Sequence, residues 1–155
     1  MAAISKRDAL EKMQKYCAYQ ERCHSEVRHK LLSLGIYGDE LEEIIYDLIQ
    51  ENFLNEERFA RSYARGKFRI KQWGRNKIIK ELKVRQISEY CIRKAMEEID
   101  EEEYLQTLEK LAQKKWKEYH GMKNFERKGR LARYLSSRGF ESELIWAEIK
   151  NGSFE

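Results

Sequence analysis

Residues 27–45 read "VRHKLLSLGIYGDELEEII". An apolar run ends at Gly35, and a second run follows in which Leu41, Ile44, Ile45, Leu48 and Ile49 recur at spacings of three and four. That period belongs to amphipathic helices. A glycine directly after a helical run is a common stop, because it accepts the left-handed backbone that closes a helix. The stretch therefore predicts two helices joined by a few residues.

The same pattern returns twice, as "IIKELKVRQISEYCIRKAM" (78–96) and "LARYLSSRGFESELIWAEI" (131–149). Val27, Ile78 and Leu131 coincide, as do Leu31, Leu82 and Leu135. Ile36, Ile87 and Phe140 follow, then Leu41, Ile92 and Ile145, then Ile45, Met96 and Ile149. The turns share one slot, occupied by Gly35-Ile36, Gln86-Ile87 and Gly139-Phe140. Another helical stretch lies upstream of each copy, at 6–18, 56–71 and 101–119. The expectation is an all-α chain of nine helices: three tandem three-helix, helix-turn-helix-like repeats in an elongated, curved array. The repeats span 1–52, 53–99 and 100–155. Helix signals agree. Ser5 precedes the first helix with Asp8 three residues on, Asp39 stands as an N-cap, and Asp100 with Glu101, Glu102 and Glu103 opens a helix ending in Lys114, Lys115 and Lys117.

The 155 residues carry a formal net charge of only +4, but its distribution is uneven. Residues 1–52 hold seven Lys/Arg against ten Asp/Glu, 53–99 hold 13 against six, and 100–155 hold 11 of each. Arg58 to Arg85 alone contains 11 bases and one acid, Glu81. A concentrated excess of this kind suits a polyanionic partner. On a helical wheel Phe59, Tyr63, Gly66 and Ile70 fall together and read as core, with Ile78, Ile79 and Leu82 facing inward from the next helix. Arg58, Arg61, Arg65 and Arg69 form a stripe opposite, joined by Lys67, Lys71, Arg75, Lys77, Lys80, Lys83 and Arg85. Guanidinium groups grip phosphate oxygens two at a time. Phe68 borders the stripe and Trp73 sits in the following loop, each open to packing or to base stacking. Lys123, Arg127, Lys128, Arg130 and Arg133 make a secondary basic surface. Asp39, Glu40, Glu42, Glu43 and Asp47 make an acidic face that suits water or a basic protein surface, not DNA.

Several chemistries are absent. Cys17, Cys23, His24 and His29 lack the paired spacing of a zinc site, and no phosphate loop, nucleophile elbow or HExxH occurs. No catalytic residue, metal or cofactor is expected. Three cysteines without tight pairing fit a reducing compartment. No segment is long and apolar enough to span a membrane, and "MAAISKRDALEK" lacks the apolar core of a signal peptide, so a cytoplasmic location is expected.

The stretch "FLNEERFARSYARGKFRIKQWGRNKIIKELKVRQIS" (53–88) resembles the RecX family. The matching features are Asn55-Glu56-Glu57 before Arg58-Phe59-Ala60, then Gly74, Glu81-Leu82 and Ile87-Ser88. "LARYLSSRGFESELI" resembles the family's closing motif, and Gln86 departs from it where glycine is usual, a position that requires a special turn backbone. The resemblance implies three tandem three-helix repeats and a non-enzymatic regulator of the RecA recombinase, monomeric when free. Such a regulator binds RecA filaments on single-stranded DNA in their groove. It restrains filament growth, ATP hydrolysis, strand exchange and coprotease activity, with a role in DNA repair and the SOS response. From the residues alone, a freestanding helix-turn-helix DNA binder, a protein-only adaptor and a metal-dependent nuclease are alternatives.

Overall fold

A computed structural model describes residues 4–152 and 154. Among these the chain forms nine helices and no strand: α1 Lys6–Tyr19, α2 His24–Ser33, α3 Gly38–Gln50, α4 Glu56–Arg69, α5 Arg75–Val84, α6 Glu89–Met96, α7 Glu101–Glu118, α8 Asn124–Ser137 and α9 Ser142–Asn151. The three-helix period is therefore present throughout. The equivalent positions named above are buried in all three copies, with Leu31, Leu82 and Leu135 at 0 % exposure; only Met96 is half-buried.

The turn inside each repeat is the same object. Ile36, Ile87 and Phe140 donate their N–H groups to the carbonyls of Leu31, Leu82 and Leu135 at 3.0, 3.1 and 3.2 Å. The preceding residues, Gly35, Gln86 and Gly139, are left-handed with φ of 83°, 60° and 102°. This is the Schellman closure, which satisfies the last carbonyls of a helix and turns an apolar residue back onto it. Gln86 adopts the glycine conformation without being glycine, at the strain of a Cβ crowded against its carbonyl. Helix starts are equally local. Ser5 accepts from the Asp8 N–H at 3.1 Å, Asn55 from Arg58 at 2.9 Å, Ser88 from Cys91 at 3.2 Å and Asp100 from Glu103 at 3.0 Å. The expected cap at Asp39 is displaced. Gly38 already has helical pairing, so Tyr37 is the cap residue and Asp39 lies in the first turn.

The chain divides into two compact units, 1–63 with 82–95, and 64–81 with 96–155. In the first, α1 packs on α2 and α3 around Met13, Val27, Leu31, Ile44 and Leu48. In the second, α7 packs on α8 and α9. Its aromatic core links Phe68 to Tyr104 and Tyr104 to Phe140, with ring centroids 5.7 and 5.2 Å apart. Trp116 meets Phe154 edge-on at 5.2 Å.

Within the second unit α5 is preceded by Gly74, which has no side chain to cap it, and its start uses the α8–α9 turn and Tyr104 of α7 instead. Gly74 donates to the Arg138 carbonyl at 2.8 Å, Asn76 to Gly139 at 2.9 Å, and Arg75 to the Tyr104 hydroxyl at 2.9 Å. These are three of the donors that a helix start leaves unmet. The approach requires two glycines face to face: a Cβ on Gly74 would collide with the Gly139 backbone, and one on Gly139 would lie 2.6 Å from the Lys77 nitrogen.

Candidate nucleic-acid interface

The core face of α4 differs from the wheel reading. Phe59, Ala60, Ala64 and Phe68 are buried, whereas Ile70 is 80 % exposed and a Cβ on Gly66 would meet nothing within 4 Å. Tyr63 and Ile79 are half-buried. Ala60, Ala64 and Phe68 recur every fourth residue, and small alanines mark that line because backbone can come close there. Phe68 consequently packs, on Tyr104, and does not border an open stripe.

In the first unit, Arg58 is held by its own fold. Its Nε lies 2.5 Å from a Glu21 carboxylate oxygen, and its other nitrogens reach Asn52 Oδ1 and the Asn52 and Phe53 carbonyls at 3.1–3.2 Å. Those bonds tie the C-terminal end of α3 to α4. Arg61 pairs with Glu57 one turn earlier at 3.0 Å. The Arg85 guanidinium lies 4.9 Å from the Tyr63 ring centre. Lys83 is exposed.

In the second unit, Arg65 pairs with Glu98. Arg75 lies over the Tyr104 ring at 3.9 Å and pairs with Glu141 at 2.8 Å and with Glu101. The Tyr104 hydroxyl donates to the same Glu141 carboxylate, and burial together with that bond pushes the phenol's pKa upward. Arg75 is thus the hub of a partly buried polar network. Trp73 is half-buried with the ammonium groups of Lys67 and Lys77 over its ring at 4.9 and 4.5 Å, so its face is already in cation–π contact. Arg69, Lys71 and Lys80 are exposed. A groove of about 410 Å³ runs beside Lys77 and Lys80, bordered by Asn76, Ser136 and Ser137.

On the secondary basic surface, Arg127 stacks on Trp116 at 3.8 Å and bonds its carbonyl, and Arg130 lies over Tyr119 at 4.6 Å. Lys123 and Arg133 are exposed and Lys128 is half-buried. The exposed Phe125 and the mid-helix Gly129, with the end of Arg133 beside it, carry no signal in charge or period, and only the fold brings them out. Cys17, Cys23 and Cys91 are buried thiols, and burial raises Cys17 to about 11. No group of three His, Cys, Asp or Glu suited to a metal occurs among the described residues. None of their helices is long and apolar enough to cross a membrane.

The second and third repeats carry family signatures. Residues 55–96 match the model of the RecX second three-helix domain and 101–149 that of the third, together more than half of the chain. The chain belongs to the RecX family. It is 32 % identical over 150 residues to the regulatory protein RecX of Clostridium tetani, covering 94 % of this chain and 64 % of that one. It thus spans just under two thirds of that relative's length. The regulatory protein RecX of Pelodictyon phaeoclathratiforme is 32 % identical over 84 % of this chain and 78 % of its own. The crystal structure of RecX from Lactobacillus salivarius superposes with a TM-score of 0.84 at 25 % identity, over 94 % of both chains. RecX motif residues now have physical roles. Asn55 and Ser88 cap α4 and α6, and Gly74 admits the α8–α9 turn.

Proposed function

We propose that this RecX-family chain regulates, mainly by inhibition, the RecA recombinase. In this reading it binds RecA filaments on single-stranded DNA in their groove and limits filament growth, ATP hydrolysis, strand exchange and coprotease activity. It acts in the cytoplasm, by binding and without a catalytic step or cofactor, as a monomer when free. The repeats at 1–52, 53–99 and 100–155 act as successive contact modules, the middle one facing phosphate.

The observation that carries the reading is membership of a regulatory family combined with cations concentrated on one module. Of the 58–85 bases, Arg69, Lys71, Lys80 and Lys83 are exposed, and we assign them the leading electrostatic role. Lys77 borders the groove beside α5, and its ammonium lies over the Trp73 ring. Arg58 and Arg75 contribute chiefly by holding the module together, because their guanidinium groups are already engaged by carboxylates. The freestanding helix-turn-helix alternative is less well supported. Such proteins read bases with the start of the second helix of the pair, which here is α6, and its first turn carries an acid, Glu89, that would repel phosphate.

The test is co-sedimentation with RecA filaments formed on single-stranded DNA, coupled to a DNA-dependent ATPase assay. Binding with a fall in ATP hydrolysis is expected. Absence of both binding and inhibition would refute the reading.

A further inference from the structure

Helix α8 carries two residues that its own fold does not need. Phe125, in the first turn, is 90 % exposed, the highest value among the exposed large apolar side chains of the described residues. Water contact over a whole phenyl ring is unfavourable. Gly129, one turn on, is inside the helix, where glycine is among the poorest choices. A Cβ there would meet only the end of the Arg133 side chain, at 3.5 Å, an ordinary contact. Its backbone is not left-handed either. Gly74 and Gly139 are demanded by sterics; Gly129 is not.

Phe125, Gly129 and Arg133 follow at intervals of four, so they form one strip along the helix. The Arg133 guanidinium lies back over Gly129. Lys128 flanks the strip and Lys123 precedes it, with Glu126 the one acid in that turn. Arg127 and Arg130 are turned onto Trp116 and Tyr119 and leave the strip to the other three cations.

We propose that this strip is a base-stacking platform for single-stranded nucleic acid. One unpaired base lies flat on Phe125 and reaches toward Gly129, from which the flexible Arg133 side chain swings aside to face an adjoining phosphate together with Lys128 and Lys123. The positive surround selects a polyanion. A single exposed ring is far too little area for a protein interface, which needs about 800 Å² from each partner, but it suffices for one base. The absent Cβ is what a flat ligand close to the helix requires. The proposal rests on the reading that the protein meets single-stranded DNA, and places a second contact on the third repeat, independent of the middle module.

The experiment is fluorescence anisotropy of the full chain on labelled oligothymidine and on an abasic strand of equal length, across a salt series. Phe125→Ala is expected to weaken binding to oligothymidine about tenfold, as loss of one stacked base does. It should leave abasic-strand binding and the salt slope unchanged, since every cation facing phosphate is still in place. Gly129→Ala is expected to raise the thermal midpoint and yet weaken oligothymidine binding, two changes that a merely structural glycine would not combine. Wild-type affinity in both variants, or equal losses on both strands, would overturn the platform while leaving the DNA reading intact. No binding by the wild-type chain at low salt would overturn both.

Discussion

Gly74→Ala isolates the contact on which α5 depends. The new methyl group would overlap the Gly139 carbonyl carbon and oxygen and the Phe140 nitrogen, all of them backbone, so no side chain can rotate away. The turn must retreat from α5. That lengthens or breaks Gly74 N–H to Arg138 O and Asn76 N–H to Gly139 O, and of the three leaves only Arg75 N–H to Tyr104 Oη, whose acceptor is on α7. Each buried donor left unmet costs about 1–3 kcal/mol. With partial relaxation and two of the three broken, the expected destabilisation is about 3–4 kcal/mol, in the range that marks a broken buried network. Gly38→Ala is the matched control. Gly38 is left-handed at φ 62° but has nothing within 4 Å, so only the backbone conformation is penalised, at about 1 kcal/mol. Urea denaturation followed by far-ultraviolet circular dichroism measures both. If Gly74→Ala falls within about 0.5 kcal/mol of the Gly38 control, the backbone seam does not hold α5 as described.

Gln86→Gly should stabilise the chain by about 0.5–1 kcal/mol, because glycine relieves the left-handed strain at φ 60°; a fall in stability on denaturation would contradict the closure seen in all three repeats. Replacing Arg69, Lys71, Lys80 and Lys83 with Gln should flatten the log–log salt dependence of single-stranded DNA binding by about 0.7 for each phosphate that is no longer neutralised, with little change in melting temperature. Arg58→Gln should do the reverse, lowering stability by about 1–2 kcal/mol as the exposed Asn52 carbonyl, the part-buried Phe53 carbonyl and Glu21 lose their partner. His24 is half-buried, and burial lowers its pKa from the ordinary 6.5, with Glu56 opposing and Arg28 reinforcing the shift. The unfolded chain therefore binds the proton more readily, so stability present above about pH 6.5 should be lost as pH falls from there through the lower value of the folded chain. His24→Asn should remove that part of the slope in denaturation curves taken between pH 5 and 8.

The helices, their caps and the threefold repeat were legible because each depends on neighbours within a few residues. Ser5 and Asp100 cap the helices they precede, and the spacing from Leu31 to Ile36 contains its own closure, repeated at Leu82–Ile87 and Leu135–Phe140. The excess of cations in the middle third is a property of the sequence itself. The orientation of α4 was not legible. A helical wheel supplies a phase, but which arc is covered depends on what arrives. Tyr104, 36 positions beyond Phe68, covers that side and leaves Ile70 in water. The same holds for the arginines. Glu21, Glu98 and Glu141 lie 37, 33 and 66 positions from the guanidinium groups that they engage. By itself the sequence determined that this is a three-repeat helical protein with a cationic middle. Only the tertiary structure decided which of those cations face outward, because ion pairing is settled by distance in space and not along the chain.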